Sequence, residues 1–152
     1  MRKTELSHPD SDTRSRYFNA LSETLETDGV AINYFERDPG VSIGDCYHRH
    51  HEQEEVFIVL SGTATFDTEE GEISVTTGET IRFAPGEWQR GWNRGSERLQ
   101  VLALGAPRDA GPTDLRRECP SCEQRTPVIV DESDTPVIFY CEECGTETGQ
   151  YT

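Results

Sequence analysis

The run Val56-Phe57-Ile58-Val59-Leu60 is apolar at every position and ends on Ser61-Gly62. An extended segment sends alternate side chains to opposite faces, so neither face of this strand can be left to water. Short segments of similar character surround it, near 41–47, 55–60, 63–68, 72–76, 79–84 and 97–104. Ser61-Gly62, Glu69-Glu70-Gly71, Thr77-Gly78 and Pro85-Gly86 separate them. Regularly spaced short strands with glycine turns predict an all-β sandwich or closed barrel and argue against a parallel α/β sheet. Upstream, Val30, Ile32 and Tyr34 alternate with polar neighbours, and Asp38-Pro39-Gly40 reads as the closing turn. Tyr17, Leu21 and Leu25 share helical spacing and predict a short helix.

The residues leading into the apolar run carry the chemistry. Three of the four histidines lie within His48-Arg49-His50-His51, and Glu52-Gln53-Glu54-Glu55 follows. His48 and His50, at i and i+2, share one face of an extended segment, and Glu55 can return beside them. Two imidazoles and a carboxylate form a donor set suited to a divalent metal. If Glu55 faces the interior, Phe57 and Val59 do as well. Val56, Ile58 and Leu60 then need a cover, either another sheet or a second subunit, so a homodimer is expected.

In order and spacing, His48, His50, Glu55 and Gly62, followed by Gly78, Pro85, Gly86 and Asn93, resemble the two motifs of the cupin family, in its small single-barrel form. The resemblance spans residues 29–107. It implies a double-stranded β-helix, a jelly-roll barrel, with a divalent ion (Fe, Mn, Ni or Zn) inside. Ser42 stands where the first motif carries a glycine, with Gly40 and Gly44 nearby. Gln89 stands where the second motif carries its histidine, the fourth metal ligand. A neutral amide oxygen binds metal weakly, or the amide donates a hydrogen bond to a bound ligand. The candidate barrel site is therefore His48, His50 and Glu55, with Gln89 in or beside the coordination shell. A metal-free small-molecule site and a structural polar cluster remain open for the same residues.

Neighbouring side chains read more plainly. His51 lies on the opposite face of the strand and is expected at solvent or at the rim. His8, in a polar tail, has no partner in sequence. Cys46 shares parity with His48 and reads as a small buried filler or a soft extra ligand. Glu54 has the wrong parity to join Glu55. Trp88 and Trp92 are expected in the barrel wall or a dimer seam. Tyr47, Phe57, Phe66 and Phe83 read as core before pocket lining, and Arg82 and Arg90 as members of surface ion pairs before holders of an anionic substrate.

Cys119-Pro120-Ser121-Cys122 and Cys141-Glu142-Glu143-Cys144 have the spacing of a four-cysteine zinc site. Val128-Ile129-Val130 and Val137-Ile138-Phe139-Tyr140 read as a hairpin between two knuckles, so residues 118–152 are expected to form a zinc ribbon. A segment of this size cannot build a sufficient core alone, and thiolate coordination would supply the missing stability. Four protein ligands leave no position for substrate, which makes Cys119, Cys122, Cys141 and Cys144 a structural centre. The expected organisation is a tail and short helix over 1–28, the barrel over 29–107, a linker over 108–117 and the ribbon.

Net charge is −15, from 29 acidic against 14 basic residues, and Lys3 is the only lysine. An anionic surface disfavours nucleic acid and anionic membranes as partners. Scarce lysine beside abundant acids resembles proteins of salt-adapted, halophilic cells, whose salt screens such repulsion. Residues 116–152 hold three arginines against eight acids, so the ribbon is expected to meet a protein partner rather than nucleic acid. No apolar stretch follows the charged N-terminus, and a cytoplasmic location is expected. Two functions follow: a small-molecule enzyme of dioxygenase, isomerase or lyase type, or a non-catalytic small-ligand sensor whose ribbon contacts a protein partner.

Overall fold

The computed structural model describes residues 1–151. The strands are β1 (Arg16–Ala20), β2 (Ala31–Arg37), β3 (Tyr47–His50), β4 (Glu54–Ser61), β5 (Thr63–Thr68), β6 (Gly71–Thr76), β7 (Thr80–Phe83), β8 (Gln89–Trp92) and β9 (Leu99–Ala106). β10 (Thr113–Cys119), β11 (Gln124–Asp131), β12 (Val137–Cys141) and β13 (Glu147–Tyr151) complete them, with one short helix, α1 (Leu21–Leu25). They make two antiparallel sheets, ordered β1-β2-β9-β4-β7 and β13-β12-β11-β10-β3-β8-β5-β6.

The apolar run sits where its composition requires. β4 is flanked by β9 and β7, and its inward residues Phe57 and Val59 are buried at 4% and 0% exposure. They meet Ala64, Phe66 and Val75 from the facing sheet, with Leu99, Val101 and Phe83 filling the remaining space. Phe57, Phe66 and Phe83 pack at centroid distances of 4.9–6.1 Å, which is the separation favoured by edge and tilted aromatic contacts. On the outer face Val56 and Ile58 are half-buried and Leu60 is exposed, as the period of two demands.

Gly62 turns β4 into β5 at φ +80°, in the left-handed region that favours glycine. A Cβ there would lie 2.9 Å from the Arg98 carbonyl oxygen and 3.1 Å from Leu99 Cα.

Three expectations are corrected. The helix of Tyr17, Leu21 and Leu25 shrinks to Leu21–Leu25, because Arg16–Ala20 is strand β1, paired with β2 through Phe18↔Phe35. That pairing overrides the helical spacing, and a helix of one turn has little stability of its own to oppose it. The strand near 41–47 begins only at Tyr47. Residues 41–46 instead form an irregular segment bridged once at Ser42↔Trp92, with the Ile43 N–H donating to the Gly91 carbonyl at 2.8 Å.

The stretch 108–117 is in large part not a linker. Its second half enters β10, which pairs with β3 through Thr113↔His50 and Leu115↔His48. It was invisible as a strand because its partner carries polar residues, and cross-strand charge pairs such as Arg49–Asp114, at 2.8 Å, take the place of an apolar stripe.

Candidate metal centre and its cavity

His48 and His50 lie on β3 and Gln89 on β8, directly opposite His48 in register, so one sheet supplies three of the residues. Glu55 enters from β4 in the other sheet, and the site bridges both walls of the barrel. Glu55 Oε2 is 3.5 Å from His48 Nε2 and 3.3 Å from His50 Nε2. The Gln89 amide nitrogen donates to Glu55 Oε2 at 2.8 Å and reaches His48 Nε2 at 2.9 Å. His48, His50 and Glu55 each offer one ligand atom, all mutually within 4.8 Å.

The outward nitrogens orient the rings. His48 Nδ1 lies 3.0 Å from the Cys46 carbonyl oxygen, and His50 Nδ1 lies 2.8 Å from Thr113 Oγ1. The Cys46 carbonyl can only accept. Thr113 Oγ1 donates onward to the Gly111 carbonyl at 3.1 Å, so it accepts from His50. Both rings therefore carry their proton on Nδ1 and turn a lone pair inward at Nε2.

Burial raises the Glu55 carboxyl, but positive charge on the facing imidazoles, with hydrogen bonds from Nε2, outweighs it and brings the group down to about 2; a cation held at this point takes the place of those protons. Two imidazole lone pairs and an anionic oxygen thus converge on one point, where only the Gln89 amide offers protons. These residues fit a divalent ion: three inward acceptors, no competing ammonium or guanidinium, and second hydrogen bonds that fix both imidazoles.

A cavity of about 550 Å³ opens from this point. Phe57, Ile43 and Ala103 give it an apolar floor. Arg16, Arg37, Arg108, Asn33, Gln53 and Tyr151 are among the polar and aromatic residues of its wall, with Phe18, Phe35 and Asp45. Gln53, buried at 4% exposure, donates to the Pro107 carbonyl at 2.8 Å and fixes the chain that carries Arg108. Thr113, Gln53 and Arg37 were not singled out from the sequence. No local motif marks them, since each acts through a partner 5 to 63 residues away.

The flanking residues sort as follows. His51 points away and pairs with Asp114 at 3.0 Å, and Glu54 pairs with Arg82 at 2.6 Å on the surface. Cys46 is buried, and burial raises its thiol. Arg90 is not in a surface ion pair: it stacks on Trp92 at 4.2 Å and donates to the Gly44 carbonyl. Burial, then the nearby Arg117 charge, lowers it to about 10. Tyr47 lies outside the phenylalanine core, stacked on Trp88 at 5.1 Å, with Arg125 3.9 Å above its ring. Asn93 is fully buried and donates to the Arg37 and Glu97 carbonyls, tying the end of β8 to β2.

The four cysteines cluster at the far end of β10. Cys119 Sγ and Cys144 Sγ are 3.5 Å apart, and Cys122 Sγ and Cys141 Sγ are 3.9 Å apart. Tetrahedral zinc with bonds of about 2.3 Å requires sulfurs about 3.8 Å apart, so this cluster has the right size for one ion. Thr146, by its hydroxyl and its backbone N–H, lowers the Cys144 thiol to about 6. β11 and β12 form the expected hairpin, with Val128↔Cys141 and Ile129↔Tyr140 in register.

The sequence matches the cupin domain family over residues 33–105, just under half of the chain. No curated protein matches it significantly. Among solved structures it is similar to a sugar phosphate isomerase of the cupin superfamily from Silicibacter pomeroyi, with 19% identity and a TM-score of 0.65, covering 89% of this chain and 84% of that one. A predicted oxalate decarboxylase from Thermotoga maritima aligns at 21% identity and a TM-score of 0.53, over 60% of this chain and 80% of the other. The cupin domain of a transcriptional regulator from Enterobacter cloacae aligns at 17% identity and a TM-score of 0.52, over 61% and 97%. With residues 33–105 matching the cupin domain, the chain has the all-β cupin double-stranded β-helix fold, extended at its C-terminal end by strands that carry four clustered cysteines.

Proposed function

We propose that the barrel is a divalent-metal site acting on a small molecule, as an enzyme of dioxygenase, isomerase or lyase type, and that the C-terminal strands are a zinc ribbon with a structural ion. One observation carries the barrel reading: His48 Nε2, His50 Nε2 and Glu55 Oε2 converge while both Nδ1 atoms are held from outside. Acceptors facing one another in a half-buried site, answered among the described residues by the Gln89 amide alone, favour a cation between them. A bound Fe, Mn, Ni or Zn would supply a Lewis acid and a template for a substrate oxygen.

The chain's own groups do the rest. Thr113 and the Cys46 carbonyl hold the imidazoles, Phe57 and Ile43 keep the floor dry, and Gln89 holds Glu55 and presents its amide to the ligand. Accepting from the Gln89 amide and facing the cation, Glu55 serves as an anionic ligand, not as the proton donor.

The similar fold of a transcriptional regulator's cupin domain supports a second reading, a non-catalytic ligand sensor whose ribbon meets a protein partner. A double His48→Ala, Glu55→Ala variant separates the two. Loss of metal with retained small-ligand affinity supports the sensor, and loss of both supports the enzyme. A cytoplasmic, salt-adapted homodimer remains our reading of the composition and of the half-covered outer face of β4.

A further inference from the structure

In a chain with twice as many acids as bases, the cavity is lined by more guanidiniums than carboxylates. Arg16, Arg37 and Arg108 line it, against the carboxylates of Asp45 and Glu55. Glu55 is committed to the histidines, and Asp45 pairs with Arg16 at 2.8 Å.

Arg37 is the anomaly. It is 2% exposed, and among the described residues its hydrogen bonds all end on backbone carbonyls: Nε on Ser42, one terminal nitrogen on Tyr17 and Glu36, the other on Ile43. No carboxylate lies within 4.0 Å of it among the described residues. Burial, then the nearby Arg16 charge, lowers it to about 10, which leaves it fully charged at neutral pH. A permanent cation in a low-dielectric wall, with no direct ion pair among the described residues and Asp45 as the nearby opposite charge, favours negative charge in the cavity it borders.

Arg16, partly exposed, lies over the Tyr151 ring at 5.3 Å, and among the described residues its hydrogen bond is the one from a terminal nitrogen to Asp45. Arg108 is anchored to the Thr27 carbonyl at 2.5 Å and to exposed Glu23 at 2.6 Å. Both pairings hold the guanidinium in place, and an exposed ion pair yields readily to a better anion. Asn33 and Gln53 line the same cavity and offer amide groups to hydroxyl or keto oxygens.

We propose that the barrel's ligand is a small hydroxylated oxyanion, a carboxylate or phosphate ester, whose polar oxygens face the His48/His50/Glu55 end and whose anionic group is received by one of the cavity's guanidiniums, Arg16 in the field of Arg37 or Arg108. This rests on the metal-site reading of the barrel. A guanidinium fork suits either oxyanion, and the anionic exterior works against capture by long-range steering, so selectivity arises inside the cavity.

The test is calorimetric titration of the metal-loaded full chain with glycerol, D-glycerate and glycerol 3-phosphate, three ligands with one carbon skeleton. At least one anion is expected to bind about tenfold or more tighter than glycerol. Tighter glycerate assigns the carboxylate source, and tighter glycerol 3-phosphate the phosphate source. Arg16→Gln or Arg108→Gln should reduce that preference, and the two together should abolish it, with unchanged glycerol affinity and metal content. Anions that bind no better than glycerol, or a preference that survives in the double variant, overturn the inference. Metal is counted in the same samples: an empty barrel is a failure of the metal reading, and a loaded barrel without anion preference is a failure of this inference alone.

Discussion

Thr113 Oγ1 accepts from His50 Nδ1 at 2.8 Å, so a residue on β10, beyond the barrel's last strand, sets the tautomer of a barrel ligand. Six residues further along the same strand stands Cys119, the first of the clustered cysteines. The two candidate metal centres thus share one strand.

Thr113→Val removes the acceptor and keeps the shape. His50 is then free to carry its proton on Nε2, where it blocks coordination. Barrel metal affinity is expected to fall about 10- to 100-fold, as for other groups that orient metal-bound histidines, with little change in unfolding midpoint. Thr113→Ser should restore it. Competition against a metallochromic chelator reads the affinity, and unchanged binding in Thr113→Val would remove this role.

Gln89 occupies the corner opposite His48 and is 2% exposed. Gln89→His supplies an imidazole in place of the amide and should tighten the barrel metal by on the order of tenfold or more. Gln89→Leu should loosen it only slightly, because three ligands remain. The same chelator competition measures both.

Gly62→Ala forces a left-handed φ and sets a Cβ against the Arg98 carbonyl at 2.9 Å. Backbone strain and overpacking together predict a loss of about 3 kcal/mol in urea unfolding. Gly71→Ala also has positive φ but meets nothing within 4 Å, so only the strain remains and the loss should be smaller.

Removing metal from the four cysteines, by a strong zinc chelator or by Cys119→Ser, should release β11 to β13, whose core is thin. Phe139 and Thr126 are the buried residues there besides the cysteines. Structural zinc supplies on the order of 10 kcal/mol to such modules, so the effect should be complete. Hydrogen exchange is expected to accelerate over residues 120–151 while the core around Phe57 and Phe66 stays protected. Protection that survives chelation would contradict a metal-dependent ribbon.

Much of this was legible in the sequence for a physical reason: strand parity and turn glycines are local. The inward set of Glu55, Phe57 and Val59, the turn at Gly62 and the joining of His48 with His50 follow from a period of two. What lay outside reach depends on distant pairing. β10 looked like a linker because its partner strand is polar, and Tyr17 looked helical until β2 captured it. Arg90 looked like a surface cation because nothing local says that Trp92 covers it. Arg37 and Thr113 owe their roles to carbonyls and rings that only the folded chain brings near.

The most direct test of the account is elemental analysis of the full chain, purified without chelator, beside the His48→Ala, Glu55→Ala variant. Two metal ions per chain are expected in the parent, one of them zinc, with a single zinc retained in the variant. One ion per chain in both proteins would contradict the barrel metal site.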